Sequence, residues 1–359
     1  MRVLLSGMLV RHPHQGGATW AAAQWALGLR ALGHEVTVVE QLDAPATAEQ
    51  AAYARTVEQE TGIAVALFAG ESGELARRTG PVDLLVNLSG VLRDEALRAT
   101  AARRLYVDLD PGFTQVWHAQ GADVGLGGHD AHVTVGLAVG TPSCPVPTGG
   151  LAWRAVLPPV VLDRWTPAGS PAGPAATTVG HWRSYGPVEH DGLRYGQRAH
   201  SARRLLDLPA RSPLPLRPAL GIDPSETTDL AALDRHGWQL LDPRVVAATP
   251  DDYRSFVRSS AAEVGIAKSG YVDARTGWFS DRSACYLAAG RPVVAQDTGW
   301  SSRLPAGAGL HAYDDVDGAA AALELVAGDP AGQGRAAQAL AREHLDARRV
   351  LSGLLEDLA

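Results

Sequence analysis

The sequence predicts an α/β protein built from two Rossmann-like, doubly wound domains that face each other across a cleft. Three observations support this fold class. The chain has 359 residues, which is the usual length of two domains. Apolar segments of strand length alternate with segments of helical periodicity in both halves. A stretch rich in proline and glycine, residues 161–176, lies between the halves and predicts a linker.

The first 40 residues form the clearest unit of this pattern. The apolar run 3–9 has the length of a buried strand, and helical periodicity from Ala18 to Leu32 ends at Gly33. Residues 34–40 are then a second strand. A strand, a loop, a helix and a strand in this order predict a parallel pair with a right-handed crossover.

The same alternation continues along the chain and sets the expected domain boundaries. In the N-terminal domain, 1–160, strands are predicted at 63–68, 82–88, 105–109 and 132–137, with helices around 47–61, 71–79 and 92–102. In the C-terminal domain, 177–335, strands are predicted at 177–182, 216–221, 238–241, 263–267 and 291–296, with helices at 198–206, 230–235, 251–259 and 280–289. The remainder, 336–359, is expected to be a helix that packs back on the N-terminal domain.

Composition and charge disfavour several classes of protein. The net charge is −7 without a run of basic residues, so no nucleic-acid partner is expected. No stretch is long and apolar enough for a membrane span. The two cysteines, Cys144 and Cys285, are expected to be reduced thiols of a cytoplasmic protein. The oligomeric state stays open.

The loop 11–17 is the first candidate for a binding site. It follows a strand and precedes a helix, at the sheet edge where open α/β domains bind ligands. Gly16 and Gly17 would let backbone N–H groups approach an anionic donor molecule at the helix N-terminus. The loop lacks the glycine spacing of nicotinamide-binding domains, and a plain turn is the alternative.

Residues 277–294 carry the most specific pattern. A glycine turn, a helix with Ser280 or Asp281 as its cap, and a Gly-Arg-Pro-Val-Val segment at 290–294 follow one another. This arrangement resembles the donor pocket of nucleotide-sugar glycosyltransferases of the GT-B type. The Gly-Gly loop and the segment 32–38 are similar to the opening of glycosyltransferase family 4.

The resemblance implies a GT-B enzyme that moves a hexosyl or deoxyhexosyl group from a nucleotide-diphosphate sugar to a small-molecule acceptor, such as a specialised metabolite. It implies an acceptor-binding N-terminal domain, a donor-binding C-terminal domain, and no metal or other cofactor. Family 4 has two glutamates eight positions apart, and by register Gly277 and Cys285 stand there. Asp281 or Ser283 is expected to replace the ribose-binding glutamate. The donor, the acceptor and the stereochemical outcome stay open.

Lys268 is the only lysine of the chain, which suggests a position that needs a compact ammonium group. Lys268 and Arg183 both follow predicted strands and are expected to hold the donor diphosphate, with solvated surface charges as the alternative. Further donor contacts are expected from the capped helix and the end of the last strand: Ser280, Asp281, Arg282, Ser283, Gln296, Asp297 and Thr298. For the last three, a turn that ends the strand is the alternative.

An inverting transfer would need a general base for the acceptor hydroxyl. Asp110, just before a Pro-Gly turn, and His14 are the preferred candidates, and His129 is a third. Asp108-Leu109-Asp110 has the spelling of a metal-binding motif, but it ends an N-terminal-domain strand, so no metal site is expected.

Two other functions stay open on the sequence. A nucleotide-sugar 2-epimerase needs acidic and histidine groups around the sugar but no acceptor pocket. A non-catalytic nucleotide-sugar-binding protein would agree with the missing glutamates. The fold alone does not decide among these functions.

Overall fold

The structure is a computed structural model that describes residues 1–166 and 173–358, so 167–172 of the predicted linker lie outside it. The strands of the N-terminal half are β1 (Arg2–Ser6), β2 (Glu35–Leu42), β3 (Val65–Ala69), β4 (Val82–Leu88), β5 (Ala101–Asp108), β6 (Ala131–Thr134) and β7 (Trp153–Ala155). Its helices are α1 (Gly16–Ala31), α2 (Ala48–Thr61), α3 (Gly73–Thr79), α4 (Glu95–Arg98) and α5 (Phe113–Ala119).

These seven strands form one parallel sheet in the order β3-β2-β1-β4-β5-β6-β7. This is the doubly wound order, with its switch point between β1 and β4. The predicted helix 92–102 is shorter than expected, because Ala101 already pairs with Val82 as the first residue of β5. The sequence pattern predicted neither β7 nor α5.

The strands of the C-terminal half are β8 (Ala176–Thr177), β9 (Val179–His181), β10 (Val188–His190), β11 (Leu193–Tyr195), β12 (Ala219–Gly221), β13 (Ala262–Gly265), β14 (Val293–Gln296) and β15 (Leu310–Tyr313). Its helices are α6 (Arg198–Ala202), α7 (Thr227–Arg235), α8 (Pro243–Val246), α9 (Pro250–Ser259), α10 (Ser269–Asp273), α11 (Asp281–Ala288), α12 (Val316–Gly328), α13 (Pro330–Leu340) and α14 (Ala347–Leu358).

The central sheet of this half is also parallel, in the order β15-β14-β13-β8, and β9 pairs with β12 beside it. The fold class predicted from the sequence is thus confirmed. The strand predicted at 238–241 is wrong in extent, since only Leu241 forms a single bridge, to Ala219. The antiparallel hairpin β10–β11 was not predicted.

The two halves are joined along one edge by backbone hydrogen bonds and an apolar cluster. Leu137 N donates to Gly277 O at 3.3 Å, and Ala138 N donates to Thr276 O at 3.0 Å. The cluster beneath these bonds takes side chains from both halves: Phe113, Val116, Val139, Cys144, Val146, Tyr195, Ala267, Tyr271 and Ala274. Burial of this apolar surface holds the carboxyl end of β5 against the segment that follows β13.

The N-terminus of α1 lies in a second contact between the halves. Gly16 N donates to Ala247 O at 3.0 Å, so this N–H is not free for an anionic ligand. A Cβ atom on Gly16 would lie 2.0 Å from Thr249 O, and one on Gly17 would lie 2.9 Å from the Tyr253 ring. The close approach that Gly16 and Gly17 permit in this structure is thus to the chain itself, and their contact with a donor stays a prediction.

The other end of α1 contacts the last helix. A Cβ atom on Gly28 would lie 2.6 Å from Leu351 Cδ1 and 2.8 Å from Ala347 Cβ, so α14 packs closely on α1 of the N-terminal half. Among residues 1–166 and 173–358, no helix is both long enough and apolar enough to cross a membrane.

His129, the third candidate base, is part of the packing of the N-terminal domain. Its Nδ1 lies 3.1 Å from Leu126 O and its Nε2 lies 3.1 Å from Asn87 Nδ2. A neutral ring satisfies both contacts, with Nδ1–H donating and Nε2 accepting from the amide. Burial, together with the charges of Arg98 and Arg104, lowers the pKa of His129 to about 4.

We expect Gly16→Ala to lower the free energy of unfolding by about 1–3 kcal/mol, because the added methyl group collides with the Thr249 carbonyl. Gly353→Ala is the matched control, since a Cβ atom at that helical position meets nothing within 4 Å and should add about 0.5–1 kcal/mol. Urea unfolding measures both variants. Equal stability of the two proteins would contradict the close contact between α1 and residues 247–249.

We expect His129 to make the protein less stable as the pH falls from 7 to 5. A histidine whose pKa is near 4 when folded and near 6.5 when unfolded binds its proton first in the unfolded state, so stability is lost through this window. The loss should be about 1 kcal/mol after allowance for partial exposure. Urea unfolding of His129→Gln should show a shallower pH dependence than the wild type, and an equal dependence would contradict this assignment.

Candidate functional site

An ion pair between Lys268 and Asp110 connects the two domains at the carboxyl ends of their sheets. Asp110 follows β5 of the N-terminal domain, and Lys268 follows β13 of the C-terminal domain. Lys268 Nζ lies 3.0 Å from Asp110 Oδ1 and 2.9 Å from Asp110 Oδ2. The two side chains are 14% and 25% exposed, so the pair is largely shielded from solvent. The structure thus brings together two residues that the sequence predicted separately.

Three aromatic rings surround the lysine ammonium. Lys268 Nζ lies 4.4 Å from the ring centre of Tyr185, 4.8 Å from that of Phe113 and 5.3 Å from that of Tyr271. Cation–π attraction and the carboxylate of Asp110 both favour the charged form. Burial acts in the opposite direction and lowers the pKa of Lys268.

The carboxylate of Asp110 is saturated with donors in this arrangement. Tyr271 OH donates to Oδ1 and Tyr185 OH donates to Oδ2, and Lys268 contacts both oxygens. Burial raises the pKa of both tyrosines, which keeps their hydroxyl groups protonated. Since a carboxylate has about four lone-pair positions, none remains for an acceptor hydroxyl. Asp110 here positions Lys268, and its predicted role as a base would require one of these donors to leave.

Asp108 fixes the turn that presents Asp110. It is fully buried and accepts hydrogen bonds from Thr114 Oγ1 and Thr134 Oγ1 at 2.7 Å, from Gln115 Nε2 at 2.8 Å and from Asp110 N at 2.9 Å. Burial raises the pKa of Asp108, and these four donors oppose that shift. Among the residues that the structure describes, no three His, Cys, Asp or Glu side chains are grouped to hold a metal ion.

Lys268 and two other basic side chains lie within electrostatic range of His181, and together the four form the basic cluster: His12, His181, Arg198 and Lys268. Arg198 Nε donates to Ile266 O at 2.8 Å and Nη1 donates to His181 O at 2.6 Å. The pKa of His181 is lowered by desolvation and by the charges of Arg198, His12 and Lys268. Burial lowers the pKa of Arg198 to about 10.

Arg183 lies in a different group of charges. Its guanidinium pairs with Glu226, and Nη2 lies 3.8 Å from Asp229 Oδ2. Asp229 also accepts from Arg203 Nε at 2.8 Å and from Trp182 Nε1 at 2.7 Å. The sequence predicted Arg183 and Lys268 as one clamp, but Arg183 is held by these carboxylates and Arg198 is the arginine beside Lys268.

The predicted residues 280–283 have four different surroundings. Ser280 caps α11 by accepting from Arg282 N at 3.2 Å. Arg282 is buried, pairs with Glu263 and donates to a backbone carbonyl of β9. Ser283 is buried within α11, whereas Asp281 lines a cavity between the domains.

The predicted residues 296–298 form a turn. Asp297 accepts from Gly299 N at 2.8 Å and from Ser301 Oγ at 2.8 Å, and Thr298 Oγ1 donates to Trp278 O at 2.7 Å. Gln296 contacts the chain next to the basic cluster, because its Oε1 accepts from the N–H of Ala267, the residue before Lys268, at 3.3 Å. Asp297 and Thr298 thus have the structural bonds expected of a turn that ends a strand.

His14 lies on the surface of the N-terminal domain. Its Nε2 is 3.1 Å from Glu49 Oε1 on α2, and its side chain is 50% exposed. Its ring contacts Tyr53 at 5.7 Å between centroids. The structure therefore does not bring His14 together with Asp110, the other preferred base; in the same loop, His12 belongs to the basic cluster.

Comparison of the whole chain with known proteins gives structural matches only. The sequence matches no protein-family model and no curated protein. HepE from Anabaena, in complex with UDP and glucose, has a TM-score of 0.59 and 14% identity, with 100% of this chain and 99% of that chain covered. AviGT4, a glycosyltransferase involved in avilamycin A biosynthesis, has a TM-score of 0.60 and 17% identity, covering 99% and 96%.

A third match is an α-glucosyltransferase in complex with UDP-glucose and DNA containing an abasic site. Its TM-score is 0.64 at 11% identity, with 99% of this chain and 98% of that chain covered. At such low identity these likenesses establish the fold and not the activity. Since they extend over both domains, the chain has the GT-B fold, as the sequence predicted.

Proposed function

We propose that this protein transfers a sugar from a nucleotide-diphosphate sugar to the hydroxyl group of a small-molecule acceptor. The observation that carries the proposal is the basic cluster, which lies at the carboxyl edge of the C-terminal sheet and faces the N-terminal domain. In open α/β sheets this edge binds ligands. Two cations that hydrogen bonds hold in place there, Lys268 and Arg198, suit the two phosphates of a nucleoside diphosphate.

In this reaction the acceptor oxygen bonds to the anomeric carbon, the bond from that carbon to the diphosphate oxygen breaks, and the hydroxyl proton is released. Negative charge grows on the departing nucleoside diphosphate. Lys268 and Arg198 would stabilise that charge, because cations fixed in a partly desolvated site need no reorganisation during the reaction. Asp110, Tyr185 and Tyr271 would position the Lys268 ammonium group.

The donor class is inferred from the matched structures. HepE and the α-glucosyltransferase are described with UDP or UDP-glucose, so a UDP-hexose is the first donor to test, with deoxyhexoses next. Of the two residues predicted for ribose binding, Ser283 is buried within α11 and Asp281 lines the cavity between the domains. We propose a cytoplasmic enzyme that uses the nucleotide-sugar as co-substrate and needs no metal or other cofactor, since the basic cluster would offset the diphosphate charge.

Transfer is favoured over 2-epimerisation by the position of the cluster. An epimerase encloses one sugar nucleotide, whereas here both domains contribute side chains to the region beside the cluster: Trp20, Leu109 and Val135 from one domain, Trp278 and Asp281 from the other. A space lined by both domains suits a second substrate. Binding without turnover would instead support the non-catalytic alternative.

The proposal is tested by thermal unfolding with UDP, GDP and dTDP, followed by nucleotide-release assays with the corresponding sugars. We expect at least one nucleoside diphosphate to raise the unfolding temperature. Nucleotide release should then accelerate only when an acceptor alcohol is added. If none of these nucleotides shifts the unfolding temperature, the proposed function fails.

We expect Lys268→Met to weaken binding of the nucleoside diphosphate about tenfold to a hundredfold, because each lost charge-assisted hydrogen bond is worth about 1.5–3 kcal/mol. Arg198→Gln should have a similar effect. Arg183→Gln is the matched control and should change affinity less than about threefold, since Glu226 and Asp229 already hold this side chain. Calorimetric titration with UDP measures all three. If Arg183→Gln weakened binding as much as Lys268→Met, the clamp would include Arg183, as the sequence suggested.

A further inference from the structure

A cavity of about 110 Å³ lies between the two domains beside the candidate site. Aromatic side chains form much of its wall: Trp20 and Trp25 from α1, and Trp278 and Phe279 from the segment before α11. Pro158 and Pro159 complete an apolar surface of flat or rigid groups. Such a wall favours a ring-shaped apolar ligand, because aromatic faces pack on rings at little cost in side-chain entropy.

One charged group lines this apolar space. Asp281, the first residue of α11, lies on its wall and is partly exposed, and its carboxylate accepts from the backbone N–H groups of Asp281 and Arg282. Gln24 also lines the cavity, but its amide is engaged, with Oε1 accepting from Val161 N at 2.8 Å and Nε2 3.7 Å from Cys285 Sγ. A carboxylate oxygen has two lone pairs, so Asp281 can accept a further hydrogen bond from a donor group of a ligand beside the backbone N–H groups of Asp281 and Arg282.

The cavity adjoins the basic cluster through two chain segments. Leu109 lines the cavity, and the next residue, Asp110, holds Lys268. On the other side, Asp281 is close enough to Arg198 for its charge to raise the pKa of that guanidinium. A ligand in the cavity would therefore present its polar end beside the groups that we assign to the donor diphosphate.

We propose that this cavity binds the apolar ring of the acceptor and that Asp281 accepts a hydrogen bond from the ring hydroxyl. The inference rests on the proposed function and names its acceptor class, a hydrophobic and preferably aromatic alcohol. Burial raises the pKa of Asp281, so its carboxylate is a better hydrogen-bond acceptor than that of a solvated aspartate. The volume is near that of an apolar cavity known to hold a benzene-sized molecule.

The test is to measure, by saturation-transfer NMR, how strongly phenol binds to the wild type and to three variants. Ala21→Leu places a larger side chain on the cavity wall and should weaken phenol binding at least about tenfold. Ala18→Leu is the matched control, because Ala18 is an exposed residue of the same helix. Asp281→Asn should weaken phenol binding about fivefold and leave toluene binding unchanged, since a charged acceptor bonds more strongly than an amide and toluene has no hydroxyl.

The shift of the unfolding temperature by UDP is measured on the same proteins. Loss of phenol binding in Ala21→Leu with a retained UDP shift supports both the cavity and the proposed function. Loss of phenol binding where the wild type shows no UDP shift supports the cavity as a ligand site and contradicts sugar transfer. Phenol that fails to bind the wild type, or binds Ala21→Leu as well as Ala18→Leu, overturns the inference. The Asp281→Asn variant tests the same point if Ala21→Leu does not fold.

Discussion

The ion pair between Lys268 and Asp110 connects the two domains of this protein, and three aromatic rings surround the lysine ammonium group. Lys268 comes from one domain, and Asp110, its carboxylate partner, comes from the other. Removing a lysine from water is expensive unless an opposite charge is close and correctly placed. Separation of the domains would take Asp110 away from Lys268 and leave both charges without their partner. Contact between the domains and the orientation of Lys268 therefore depend on each other.

A bound diphosphate would change the contacts of Lys268. An anionic ligand at Lys268 competes with Asp110 for the ammonium group, or shares it. Tyr185 OH and Tyr271 OH stay protonated, so each can donate a hydrogen bond to a carboxylate or to a phosphate oxygen. Meanwhile Asp108 keeps the Asp110 turn in place through four donors of its own. The partners of the Lys268 ammonium group can thus change while the backbone of the Asp110 turn stays in place.

The sequence predicted the large features because they depend on local patterns. Buried parallel strands are continuous apolar runs, so β1, β2, β4 and β14 were recognisable, whereas the short strands β7, β10 and β11 carry too few residues for a pattern. Lys268 was noticed because it is a unique residue type. Arg198 was not noticed, because the chain has many arginines and the sequence does not show which of them lies in the cleft. The contacts of Tyr185 and Tyr271 exist only in the folded chain.

Gly277 and Cys285, which stand where family 4 has glutamates, both lie in contacts between the domains. Gly277 has φ of +74°, and a Cβ atom there would lie 2.6 Å from Ala138 N, so the backbone contact between the domains excludes a side chain. Cys285 is buried, with Gln24 Nε2 of α1 3.7 Å from its Sγ, and a glutamate there would bury a charge in the packing of α11 on α1. At Gly277 a glutamate is therefore incompatible with the way these domains meet. A nucleotide-sugar would have to be held by groups outside the motif, and the basic cluster at Lys268 supplies charges suited to its diphosphate.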